Sequence, residues 1–221
     1  MCGRYTLLAD ELEILQEFDL EYPIESYQTS YNIAPGQQVL AIIHNGREKR
    51  AGYLRWGLVP SWAKDEKIGY KMINARSETA HEKPSFKSLM AQKRCLIVAD
   101  SFYEWKKTER EKQPKRIELK DRKLFAFAGL WDKWLQDDKT LFTCTILTKD
   151  SNEFMQDIHH RMPIILPKAL EDEWIRPQKL QPETAKQFLQ SIGMDALTAY
   201  DVGNYVNAAK HNDPQCIEPI A

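Results

Sequence analysis

Asn45-Gly46 is the dipeptide that most limits what this chain can fold into. It separates an apolar run near Val39 to Ile43 from a second run ending at Trp56, and Asn-Gly between two such runs signals a tight antiparallel hairpin with a two-residue loop. Further short apolar runs supply partner strands: Cys95 to Asp100 continuing into Ser101 to Trp105, then Leu124 to Leu130, Leu141 to Leu147, Ile164 to Leu166 and Leu197 to Val202. Between Lys106 and Lys123, charges alternate around Gln113-Pro114, which reads as a solvated hairpin and not as a phosphate track. Helices are expected where Asp10 can cap a segment with Leu8, Leu12, Leu15 and Phe18 at helical spacing, and around Phe86, Leu89 and Met90. Others are expected from about Asn152, and after Pro167 and Pro182 over Lys168 to Trp174 and Glu183 to Ile192. The pattern predicts an α+β fold with peripheral helices on a curved or barrel-like, mostly antiparallel sheet.

No Gly-, Ser- or Pro-rich linker divides the 221 residues, so one domain over 1–221 is expected. Apolar residues make up 43% of the chain, with neither a secretory apolar segment nor a run of about 18 apolar residues, which predicts a soluble cytoplasmic protein with no membrane partner. Cys2, Cys95, Cys144 and Cys216 are far apart and form no CxxC pair. Free thiols are expected, with no metal and no cofactor. The 31 basic residues are balanced by 32 acidic ones, which argues against a generic binder held by a broad basic surface. Any nucleic-acid face must be local. A monomer is the default.

The chemistry starts at Met1-Cys2-Gly3-Arg4-Tyr5. Removal of Met1 would leave a cysteine with a free α-amine (reference pKa about 8) and a thiol (about 8.5), a 1,2-aminothiol. The amine condenses with an aldehyde to an imine, and the thiol then closes a five-membered thiazolidine. The ordinary alternative is a frayed, inert terminus. Ile73-Asn74-Ala75-Arg76-Ser77-Glu78-Thr79 is dense in hydrogen-bonding side chains, as both a site and a helix cap would be. In Phe102-Tyr103-Glu104-Trp105 the strand period puts Glu104 with Phe102 and Tyr103 with Trp105, making Glu104 either a desolvated general acid or a salt-bridged edge residue. Of Trp56 and Trp62, which flank turn residues, at least one should be exposed. His159 and His160 are adjacent in an extended segment and should point to opposite faces, so they should not serve one site together.

These stretches resemble the SRAP family, named for SOS-response-associated peptidases. The resemblance rests on Met1 to Tyr5, Tyr31-Asn32-Ile33-Ala34-Pro35-Gly36, the Trp56-Gly57 turn, Ile73 to Arg76, Phe102 to Trp105, Asp157-Ile158-His159 with Arg161 and Pro163, and Val206-Asn207. It covers essentially the whole chain. It implies a protein that recognises abasic sites in single-stranded DNA and links to them covalently, shielding the lesion in the DNA damage response. In that picture Cys2 supplies amine and thiol, Asn74 hydrogen-bonds the reacting sugar or terminus, and Glu104 and His159 move protons. Arg4, Arg76 and Arg161 contact phosphates, while Trp62 and Trp105 stack on or wedge between bases. The loop beside Trp62 is spaced differently from relatives, and His160 stands where many members carry Asp.

The implied reaction fits the residues, because an abasic deoxyribose equilibrates with a ring-opened aldehyde. The α-amine attacks C1′, Glu104 helps expel water, and the thiol closes the ring in competition with β-elimination, a lyase side reaction. Two other readings stand beside it. One is a cysteine peptidase with Cys2 as nucleophile and His159 as base, whose narrowest form is self-catalysed removal of Met1. The other is a noncovalent single-strand binder with a silent terminus.

Overall fold

The computed structural model describes residues 2–109, 111–193 and 196–220. In chain order, β1 (Tyr5–Leu7), α1 (Glu11–Glu17), β2 (Ser30–Ile33), β3 (Gln38–His44) and β4 (Lys49–Trp56) come first. A 3-10 helix (Glu66–Lys71) leads into β5 (Asn74–Arg76), α2 (Ser77–Ala80), α3 (Lys87–Gln92), β6 (Arg94–Ala99) and β7 (Ser101–Lys107). Then come β8 (Lys112–Leu119), β9 (Phe125–Gln136), β10 (Lys139–Asp150), α4 (Glu153–Gln156), β11 (Arg161–Pro163) and β12 (Ile165–Leu166). The last elements are α5 (Lys168–Ile175), α6 (Pro182–Ser191), β13 (Leu197–Asp201) and 3-10 turns at Asn204–Asn207 and Pro214–Ile217.

The β3–β4 hairpin forms as expected, pairing Gln38 with Arg55 through His44 with Lys49. Its loop is four residues, not two. Asn45 Oδ1 accepts from the backbone N–H groups of Arg47 and Glu48, and Gly46 takes φ +99°, so the asparagine builds an Asx turn ahead of the glycine. Around this hairpin the strands close on themselves: β4 pairs β10, β10 pairs β9, β9 pairs β6 and β6 pairs β3. The result is a five-stranded barrel with β5 and β11 added to β10 and β12 to β9, antiparallel except at β10–β4 and β10–β5. Ring closure removes the edges of these five strands. Ile42, Trp56, Ile97, Phe127 and Ile146, all at most 1% exposed, belong to its core.

A second sheet runs β13-β8-β7-β1-β2. The run from Cys95 to Trp105 therefore does not continue as one strand: β6 belongs to the barrel and β7 to the second sheet. Asp100 makes the corner, accepting from the Thr6 hydroxyl and the Leu8 backbone N–H. Tyr5 and Phe102 of the second sheet share the barrel's core cluster, which joins the two sheets. The segment expected to be a solvated hairpin is half-buried. Its turn lies before β8, Pro114 sits opposite Trp105 in the ladder, and Ile117 is fully buried.

Asp10 caps α1 in a reciprocal box with Glu13, but Leu12 is 62% exposed and Ile14 and Phe18 face the core, so the apolar face is rotated from the expected one. The Trp56-Gly57 turn is set by contact. Gly57 has φ +123°, and a Cβ there would stand 2.8 Å from the Gly69 carbonyl oxygen, so the 3-10 helix packs directly on the turn. All four cysteines are free thiols and buried. No helix among the described residues is long and apolar enough to cross a membrane.

Candidate functional site

β1 lies between β2 and β7 in the second sheet, paired on both sides, and the segment from Cys2 leads directly into it. Cys2 is fully buried, and the next backbone contact, Tyr103 N–H donating to the Arg4 carbonyl at 2.9 Å, ties the segment to β7. Asn74, at the start of β5, donates its Nδ2 to the Cys2 carbonyl at 2.8 Å. The barrel thus grips the terminus that the second sheet presents. β5 reaches this point because it extends β10 in parallel, Asn74 beside Ile146 and Arg76 beside Thr148.

Glu104 is 2% exposed on β7. Strand alternation divides β7 as expected: Phe102 joins the main core, while Tyr103 and Trp105 pack in a separate cluster with Val202, Val206 and Cys216. Burial pushes the Glu104 carboxyl above its ordinary range, and burial also pushes the Cys2 thiol up, reinforced by the charge of Glu104. Cys2, Asn74 and Glu104 are therefore brought together. The asparagine's Oδ1 is buried without a hydrogen-bond partner among the described residues.

His159 lies in the turn between α4 and β11, at the end of β10 that also carries β5. Its Nδ1 accepts from the Arg161 backbone N–H at 3.0 Å, and burial pulls its pKa below the usual histidine value. His159 and His160 do not point apart. Their rings stack with centroids 4.4 Å apart, because the segment after α4 is a turn and the period of two does not apply.

The three arginines differ. Arg76 is exposed and makes no ion pair among the described residues. Arg4 donates to Asn32 Oδ1 and the Val206 carbonyl, each at 2.8 Å, and its guanidinium carbon lies 5.8 Å from the Trp105 ring centre. Arg161 is 5% exposed, doubly bonded to the Glu78 carboxylate (2.8 and 2.9 Å) and bonded to Asp150 at 2.5 Å. Its charge is neutralised inside the protein, where it braces α2 against β10.

Trp62 is 59% exposed and Trp56 only 1%. Trp105 is half-buried, its Nε1 donating to Asn207 Oδ1 at 2.7 Å. Asn32 was not singled out as a site residue in the sequence. It is 1% exposed and its Nδ2 donates to the carbonyls of Val206, Ala208 and His211, fixing the C-terminal segment beside Arg4 and Trp105. The signal for it was a polar residue directly before the apolar Ile33-Ala34 pair. Among the described residues no group of three or more His, Cys, Asp or Glu is arranged to hold a metal ion.

Residues 1–209 match the family described as SOS response associated peptidase (SRAP). An abasic site processing protein of Bacillus subtilis, YoqW, is 50% identical over 99% of both chains. The abasic site processing protein HMCES of Xenopus tropicalis is 32% identical, over 89% of this chain and 68% of its own. Among solved structures, a Bacteroides thetaiotaomicron protein superposes with a TM-score of 0.88 over the full length of both chains at 24% identity, a likeness of fold. A phage-related protein of Bordetella bronchiseptica gives a TM-score of 0.72 at 28% identity, covering 91% of this chain and 94% of that one.

Proposed function

Because the chain belongs to the SOS response associated peptidase family, we propose that it processes abasic sites in DNA, capturing the ring-opened sugar of a single-stranded lesion through Cys2. The observation that carries this reading is the full burial of Cys2 just ahead of β1, its carbonyl held by Asn74 and its thiol within the influence of Glu104. A terminus of no consequence has no reason to be gripped from two sheets.

Once Met1 is removed, the α-amine of Cys2 adds to the C1′ aldehyde, giving a carbinolamine. Glu104, kept protonated above the usual carboxylate range by burial, donates to the departing hydroxyl, and water leaves as the imine forms. The thiol then adds to the imine carbon and its proton passes to the nitrogen, closing the thiazolidine. The net change is loss of one water. The amine attacks first because only an amine can form the imine; with Met1 still attached, burial disfavours the Cys2 thiolate, which weighs against the peptidase reading that needs it at the outset. His159, neutral near pH 7 because its pKa is depressed, accepts the proton whose loss opens the sugar ring. Loss of the C2′ proton from the imine would instead cleave the strand, the lyase leak with which ring closure competes.

Arg76 is the leading phosphate contact and Arg4, beside Trp105, the second, and Trp62 and Trp105 offer ring faces to bases. Arg161 acts as an internal brace that keeps β5 and the His159 turn together. The protein acts as a monomer on a single strand.

The test is the covalent product. Cys2→Ala should bind an abasic oligonucleotide reversibly and form no denaturation-resistant adduct, whereas Cys2→Ser should give an imine trapped by borohydride but no stable product. An adduct that survives in Cys2→Ala would remove Cys2 from the mechanism.

A further inference from the structure

Tyr70 is 66% exposed, the most open of the large aromatic side chains, yet its surroundings hold it in place. It sits on the 3-10 helix Glu66–Lys71, whose Gly69 is locked against Gly57: a Cβ on Gly69 would come within 2.7 Å of the Gly57 carbonyl oxygen. One ring carbon lies 3.8 Å from where a Cβ of Gly36 would stand, so the ring lies over the turn at Gly36. The Arg55 guanidinium lies 6.0 Å from the ring centre and is itself fixed by Glu66 at 3.0 Å. The remaining surface of the ring is open to solvent.

The same short helix presents Lys67 and Lys71, both exposed and without an ion pair among the described residues. Four residues beyond Tyr70 is Asn74, which holds Cys2; four residues of chain span at most about 14 Å. Trp56 anchors the intervening backbone by donating its Nε1 to the Ile73 carbonyl at 2.8 Å. A rigid aromatic face flanked by free cations, a short rigid step from the reacting terminus, is what a base and its phosphates next to a captured sugar would meet. Pre-ordering matters here because stacking on a floppy loop would lose part of its free energy to fixing the loop.

We propose that Tyr70 is a base-stacking platform for the strand flanking the lesion, with Lys67 and Lys71 on its phosphates; this rests on the reading of Cys2 as an abasic-site trap. The ring face, not the hydroxyl, makes the contact.

The test compares Cys2→Ala, which cannot react, with Cys2→Ala carrying Tyr70→Ala or Tyr70→Phe. Binding to a single-stranded oligonucleotide with a central tetrahydrofuran abasic analogue is read by fluorescence anisotropy. Tyr70→Ala should weaken binding by about fivefold or more, while Tyr70→Phe stays within about twofold. Tyr70→Ala that binds as tightly as its parent overturns the platform, and a Tyr70→Phe loss equal to that of Tyr70→Ala overturns stacking in favour of a hydroxyl contact. A parent that binds no single strand overturns both the platform and the reading beneath it. Wild-type chain that binds but forms no adduct with a true abasic site overturns the capture chemistry only, and Tyr70 is then judged on the same affinities.

Discussion

Glu104 is a carboxyl held where its charged form is disfavoured, and that has a consequence for stability as well as for proton donation. Its pKa in the folded chain lies above the unfolded value of about 4.3, so the native state holds the proton more tightly. Its contribution to stability is complete below about pH 4 and is lost as the pH rises through the raised folded pKa. Glu104→Gln, which cannot ionise, should therefore melt at a higher temperature than wild type at neutral pH and at nearly the same temperature near pH 4. Thermal denaturation at the two pH values checks this; an equal gain at both would mean that the effect is packing and not ionisation. Which face of β7 carries Glu104 was legible in the sequence because the strand period reports faces, whereas its burial, left open against an exposed ion pair, needed the packing of the two sheets. The state of Arg161 was not legible either. Which carboxylates close on a guanidinium depends on β5 and β11 flanking the same strand, a pairing that no local pattern records.

At the scale of elements, the C-terminal segment is held to the terminus by a few side chains. Asn32 satisfies three of its carbonyls, Asn212 Oδ1 accepts from the Tyr31 and Asn32 backbone N–H groups, and Arg4 and Trp105 bond Val206 and Asn207. Asn32→Ala leaves those carbonyls without that donor, a cost of about 1–3 kcal/mol. Hydrogen exchange over residues 204–213 should accelerate while β9 and β10 keep their protection; uniform acceleration would mean instead that Asn32 supports the whole fold. Strand positions were largely readable from apolar runs and turn residues, and so was the Asn45-Gly46 hairpin. Its loop length was misjudged because the asparagine side chain, not the dipeptide alone, shapes the turn. The stacked histidines and the division of Cys95 to Trp105 between two sheets were missed for one reason: both depend on a corner, and periodicity carries no information about corners.

For the whole molecule, the sequence pattern indicated a curved, mostly antiparallel sheet, and the barrel closes it through β10, which pairs β4 in parallel after a long excursion. That closure is a long-range pairing, visible only once the registers are known. With a formal net charge of −1 the chain offers little overall attraction to a polyanion, so DNA affinity should rest on a handful of local cations. Its salt dependence should be correspondingly shallow, and Arg76→Ala should reduce the slope of log affinity against log salt by about one phosphate's worth. An unchanged slope would take Arg76 off the phosphate track. The central claim is that the buried terminus is a covalent trap, and intact-protein mass spectrometry before and after incubation with a single-stranded oligonucleotide containing one abasic site tests it most directly. The account predicts a starting mass without Met1, followed by a denaturation-stable species equal to protein plus oligonucleotide minus one water. A chain that lacks Met1 and yet gains no oligonucleotide mass would contradict it.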